Sequence, residues 1–350
     1  MKVKLALAVA ALQVLVLAFM AGQREWISRT GTPVILRTAP VDPNDPMRGA
    51  YVRLNYEATF VPMTLCRGEV AKWPTTMESH LSSFPSSHRD AIVYAALQVN
   101  PYGIADLVSL SDQPPATGPF LRGRVTGIGP EGIRVRYGIE ALFMNKTAAQ
   151  RTERESMERA GAPMNVRVAV GGNGTAVLKD FEWEPLGITF AIDRPQLAAN
   201  DPQRWQPRPL TGMTVTLHNY GAKDVAIVDR PNGQAFRLIA NTRFAQNYYA
   251  WAGDDGQATG ATNIIVLKPG AKHEVHLDFS DRRWWVVDTR KPGSEPMPLA
   301  KVPQGDAWNA SFRLEYAPPP ADVMRGLPNA DLIRHAPLHS RAFNAAQGVD

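Results

Sequence analysis

The stretch Val41–Glu57, VDPNDPMRGAYVRLNYE, decides how the chain is read. Asp42-Pro43 and Asp45-Pro46 each put a residue before proline, which disfavours helix and favours extended or turn geometry. Gly49 then allows a backbone conformation that other residues reach only at a cost. Beyond it the side chains alternate as in a strand. Ala50, Val52, Leu54 and Tyr56 share one face, and Tyr51, Arg53, Asn55 and Glu57 share the other. Leu54 and Tyr56 are assigned to the core, which leaves Tyr51 to meet something else.

Strand signals recur on either side of this stretch. Val34-Ile35-Leu36 precedes it. Ala91–Val99 and Leu107–Leu110 follow, and Arg122–Ile128 and Ile133–Tyr137 flank a hairpin turn at Gly129-Pro130-Glu131-Gly132. The alanines of Ala91–Val99 leave a helix open there. Thr147–Ala160 is the best soluble helix candidate, with Arg151/Glu155 and Arg154/Glu158 four residues apart and Gly161 and Pro163 to stop it. A second hairpin turns at Gly171-Gly172-Asn173-Gly174, which lacks the Lys-Ser/Thr and the following helix of a phosphate loop.

Ahead of all this, Met1–Lys4 is basic and Leu5–Gly22 is apolar except for Gln13. As helix those 18 residues span about 27 Å, close to a hydrocarbon core of about 30 Å. The same pattern also fits a secretory signal peptide. However, the candidate cleavage pairs Phe19/Ala21 and Ala18/Met20 each have one poor member, and the run exceeds a typical signal core. Residues 1–23 are therefore expected to form an uncleaved transmembrane signal anchor. Lys2 and Lys4 argue for a cytoplasmic N-terminus, with Arg24 and Arg29 beyond the run weighing the other way. The bulk of the chain is then expected outside the cytoplasm, with Trp26 at the interface.

The signature strand, read as Gly49-Ala50-Tyr51-Val52-Arg53-Leu54-Asn55-Tyr56 after Asp42–Arg48, resembles that of the GDYXXLXY family. Leu121-Arg122-Gly123-Arg124-Val125 and Val135-Arg136-Tyr137-Gly138-Ile139-Glu140 are also similar to family motifs. The resemblance runs over about residues 30–184 and names Gly49, Tyr51, Leu54, Tyr56, Arg122, Gly123, Tyr137 and Gly138 as motif residues. Ala50 stands where the family has Asp, so any chemistry of that Asp is lost here. Members are often membrane-anchored beside polytopic membrane proteins. The resemblance therefore implies a non-enzymatic accessory or interaction module that partners an integral membrane protein of the cell inner membrane.

Pro185–Pro209 carries five prolines and is read as a linker between two domains. Past it, Met213–Leu217, Val225–Val228, Ala235–Ile239, Asn263–Leu267, His273–Phe279, Trp284–Asp288 and Ser311–Tyr316 have the spacing of a β-sandwich over residues 210–317. Lys268-Pro269-Gly270 before an alternating strand is similar to the corners of bacterial immunoglobulin-like accessory domains. Residues 318–350 are expected to be a loosely ordered tail. The fold class is thus mainly β: an N-terminal transmembrane helix and two β-rich domains, the second an immunoglobulin-like sandwich.

Net charge is +5 over 350 residues, but Lys and Arg are scattered rather than clustered, which argues against a nucleic-acid partner. The single cysteine, Cys66, rules out an internal disulfide and reads as a small buried hydrophobe. His273 and His276 on one strand face opposite ways, so no metal is expected there. His80 and His88 flank a polar loop, and Asp42–Asp45 lacks the downstream Glu of a calcium loop. No cofactor is expected. Ser79-His80 and Ser87-His88 are sequence neighbours without triad geometry. Two alternatives stay open. One is an anchored cell-envelope hydrolase with spatially paired carboxylates such as Glu57, Glu69 or Glu140. The other is a glycan or ligand binder using Tyr248, Tyr249 and Trp251. Trp285 is read as core and Trp284 as its outward neighbour.

Overall fold

A computed structural model describes residues 2–38, 51–73, 88–100, 103–129, 132–193, 208–241, 247–253, 263–291, 293–319, 321–334 and 336–346. The lead-in Val41–Ala50, with Gly49, lies outside the described residues, and so do Ser79, His80 and Ser87. The chain is mainly β with an N-terminal helix and divides into two compact units. Unit 1 takes in nearly all of residues 1–150 and 164–182; unit 2 takes in 151–163 and 183–350.

In unit 1 the N-terminal helix runs from Lys2 to Thr30, seven residues past the anchor drawn from the apolar run. Nothing breaks it before Gly31. An Arg29–Glu25 pair at 2.6 Å and a Thr30 Oγ1 bond to the Trp26 carbonyl at 2.9 Å hold the polar turns. Among the described residues no helix is long and apolar enough to cross a membrane; the side chains of residues 5–8, inside the apolar run, are not among those described.

Thr32–Arg37 pairs with Met164–Val170, which pairs with Ala176–Trp183. A five-stranded sheet runs in the order Phe60–Pro62, Gly132–Arg136, Phe120–Gly129, Ile92–Val99, Ala105–Ser111. The Ala91–Val99 ambiguity therefore resolves as strand. β-Branched and aliphatic side chains from alternate positions make the core: Val93, Ala95, Leu110, Leu121, Ile133 and Val135 have no exposure, with Val125 at 1%.

The signature strand is shorter than expected. Only Tyr51–Arg53 is strand, paired with Ala141–Phe143. The chain then leaves the ladder, bridges Thr38 at Tyr56 and enters a 3-10 turn at Glu57–Thr59. Leu54 and Tyr56 are nonetheless buried, at 3% and 0% exposure.

All seven strands expected after residue 210 form in unit 2, each within two residues of its expected ends. Gly212–Asn219 lies between Leu186–Ile192 and Lys272–Asp278, Val225–Asp229 pairs with Asn263–Leu267, and Trp285–Asp288 lies between Tyr249–Trp251 and Met297–Pro298. Ser311–Tyr316 pairs with Phe236–Ala240, Leu338–His339 and Phe343–Asn344. One core cluster joins these sheets, with Phe236, Phe279, Trp284, Phe312, Tyr316 and Phe343 inside it.

Two boundaries need correcting. Leu186–Ile192, assigned to the linker 185–209, is a buried strand whose Leu186, Ile188 and Phe190 enter the core. The tail expected at 318–350 packs into the core where it is described: Leu338, Phe343, Ala345 and Ala346 are 0–3% exposed. Two-residue strands fall below any sequence periodicity, which is why the tail read as loose.

Candidate functional site

The three motif segments converge in unit 1. Tyr56 Oη donates to the Ile139 carbonyl at 2.8 Å, and Tyr137 Oη donates to the Ala58 carbonyl at 2.8 Å. Each tyrosine thus reaches the main chain beside the other, closing a reciprocal clasp. Both rings are buried, at 0% and 7% exposure. Burial, helped by the Glu140 charge, pushes both phenols well above the ordinary tyrosine value, so they remain proton donors.

Glu140 holds the turn between them. Its carboxylate accepts from the Tyr137 N–H at 2.5 Å and the Gly138 N–H at 2.9 Å, and its carbonyl accepts from the Leu54 N–H at 2.8 Å. Gly138 supplies the left-handed backbone that this turn needs, φ +82°. Gly123 lies on the neighbouring strand, where any Cβ would collide with Val135 and meet the Tyr137 ring at 3.0 Å. Arg122 is exposed, and its main-chain N–H donates to the Gly174 carbonyl at 2.8 Å.

Motif residues Leu54, Tyr56, Gly123, Tyr137 and Gly138 therefore form a structural knot, and Glu140, which the sequence offers as a candidate paired carboxylate, is a member of it. Its signal was present: a Glu two residues after a Gly can cap that turn. Tyr51 is directly opposite Phe143 in the register, and Phe143 is 78% exposed.

The aromatic group of unit 2 is not an exposed patch. Tyr249 is 2% exposed and donates to Asp306 at 3.2 Å. Trp251 is half-buried, with its indole N–H on the Arg283 carbonyl at 2.6 Å. Tyr248 packs against the core under the Arg290 guanidinium, 4.4 Å from its ring centre. Trp284 is core at 1% exposure and Trp285 is its half-buried neighbour, the reverse of the expected order.

Arg290 links these aromatics to two carboxylates. Its Nε and Nη2 bond Asp288 at 2.9 and 2.8 Å, and its Nη1 and Nη2 bond Asp306 at 3.1 and 2.7 Å. Hydrogen bonds from Arg290 hold the Asp288 carboxyl down at about 2 and lower Asp306 as well. Asp288 is depressed below its unfolded value of about 3.9. Its contribution is therefore complete above that value and disappears as pH falls through about 2. Unit 2 is expected to lose melting temperature on acidification from pH 4 to pH 2, and Asp288→Asn to flatten that slope. An unchanged slope in the variant would remove Asp288 as its source.

Burial raises the Cys66 thiol to about 11, which makes it a poor nucleophile. His88 stacks on Trp73 with ring centres 4.5 Å apart. His273 and His276 engage different partners, Asp229 at 3.3 Å and Asp193 at 3.7 Å, in keeping with opposite strand faces. Among the described residues no three His, Cys, Asp or Glu side chains are grouped to hold a metal ion. Glu57 lies in the 3-10 turn of the clasp, between Tyr56 and Ala58; Glu69 pairs with Lys72 at 2.6 Å.

Fold and motif geometry together define a mainly β protein whose motif residues secure a main-chain crossing. Residues 13–181 match the family model described as GDYXXLXY protein. Over that stretch the resemblance read from the signature is borne out, and it begins earlier than expected, within the N-terminal helix. Comparison with curated proteins gave no match, and comparison with solved structures gave none.

Proposed function

We propose that the chain is a single-pass, membrane-anchored interaction module. Its β units stand outside the cytoplasm beside an integral membrane protein of the inner membrane. The carrying observation is the helix surface: Val9, Leu12, Val14, Leu15, Val16, Leu17, Phe19 and Met20 are 47–68% exposed. Over 12 consecutive residues these positions cover every side of the helix, and a helix apolar all round needs either a protein core or a bilayer. The bilayer fits the length, the basic start at Lys2 and Lys4, and the exposed Trp26 beyond the run. The antiparallel sheets around a shared core support the immunoglobulin-like sandwich reading of unit 2.

Support for a module over an enzyme comes from the motif itself, whose polar groups are spent on main-chain bonds. A surface for the partner is the two-stranded ribbon where Phe143 stands across from Tyr51. The test is a pull-down of the full chain in mild detergent beside a Tyr51→Ala form, with bound proteins identified by mass spectrometry. A stoichiometric integral membrane protein that is lost with Tyr51 is expected. No such protein in either form would overturn the accessory reading and return the question to envelope substrates.

A further inference from the structure

We propose that unit 1 is seated on the bilayer by a joint without a linker, so that the Gly171–Gly174 turn and Lys179 lie at the depth of the phospholipid headgroups. The proposal rests on the anchor reading of the helix. A single residue, Gly31, separates the helix end at Thr30 from the strand start at Thr32. That corner is packed: the Gly31 N–H bonds the Ile27 carbonyl at 2.8 Å. A Cβ on Gly31 would sit 2.6 Å from the Ile27 oxygen and 3.0 Å from the Val170 oxygen.

Two further contacts fix the helix to the second hairpin. Ile27 is 6% exposed, and its side chain comes within 3.0 Å of where a Cβ on Gly171 would be. Lys179 Nζ donates to the Ser28 carbonyl at 2.8 Å and to its hydroxyl at 3.0 Å. The helix therefore cannot swivel about Gly31 without breaking all three contacts.

Depth follows from helix geometry. Ile27 and Ser28 stand five and six residues beyond Gly22, the last residue of the apolar run, which is about 7–9 Å along the axis. The headgroup region is about 5–7 Å thick on each side. The hairpin contacts thus fall at or just past its outer boundary, and the Gly171–Gly174 turn leads back from them toward the headgroups. The side chains near that level suit phospholipid phosphates: Arg24, Arg29 and Lys179 stand with two acids that are already paired, Glu25 by Arg29 at 2.6 Å and Asp180 by Arg167. Trp26 is 69% exposed among them. Gly172 and Asn173 are exposed at the turn.

The test uses the full chain in nanodiscs that carry a headgroup-tethered nickel chelate, with a nitroxide on Asn173→Cys. Strong relaxation of the label is expected. It should fall severalfold when a flexible Gly/Ser segment is inserted between Thr30 and Gly31, and fall in the same direction in Lys179→Ala, which adds no chain. Co-sedimentation with the discs is scored in parallel. Retention in the discs with a label no more relaxed than in the inserted form would overturn the seating alone. Loss of the native chain from the discs would overturn the anchor reading and the seating together.

Discussion

Tyr137→Ala is expected to destabilise unit 1 by about 3–5 kcal/mol, the range for emptying a buried aromatic site. The ring is 7% exposed and covers Gly123, whose missing side chain makes the space the ring occupies. Its hydroxyl is the partner of the Ala58 carbonyl in the turn that follows Tyr56. Tyr137→Phe keeps the ring and orphans that carbonyl, which costs about 1–3 kcal/mol. Denaturant titration of the full chain, followed by hydrogen exchange in unit 1 peptides, reads both. Equal losses in the two variants would mean that the ring contributes nothing and the clasp is only its hydrogen bond. No loss in the Phe variant would mean that the reciprocal bonding is incidental.

Gly161→Ala is expected to be as severe in unit 2. The residue has φ +74°, a conformation that costs other L-residues about 1–2 kcal/mol. Its Cβ would also overlap the Ile188 carbonyl, which belongs to a paired strand and cannot turn aside as a side chain could. The Gly161 carbonyl in turn accepts from the Ile188 N–H at 3.1 Å, so moving apart breaks a bond. The combined penalty is about 4 kcal/mol or more, in the range that marks a specific steric cause. Gly270→Ala is the control. Its φ is +77°, with nothing within 4 Å of an added Cβ, so only the conformational cost applies. Similar melting shifts for the two variants would show that the close approach to Ile188 is relieved.

The sequence carried the strands and missed their long-range partners. Alternation in Val52–Tyr56 placed Leu54 and Tyr56 inside correctly, because burial parity is a local property. It could not show that Tyr56 quits the ladder, since its hydroxyl partner is 83 positions away. Trp284 and Trp285 were exchanged for a local reason. A 3-10 turn at Arg282–Trp284 precedes the strand and resets which side chain points inward. The aromatics at 248–251 suggest a binder by residue type alone. What buries them, Asp306, Arg283 and Arg290, lies 32–57 positions downstream for the contacts of Tyr249 and Trp251.

The closing strands Leu338–His339 and Phe343–Asn344 bear on vectorial synthesis. Phe343 stacks 6.2 Å from Phe279 and edges Phe190 at 5.4 Å, so it seals the core at the level of the first strand of unit 2. Unit 1 has its whole clasp once residue 140 has emerged, and its last strand by residue 183. Unit 2 must wait for its final turn of chain, leaving Phe190, Phe279 and Phe312 uncovered while the ribosome still works. A stalled or truncated product would therefore pair a finished first unit with an adhesive second one.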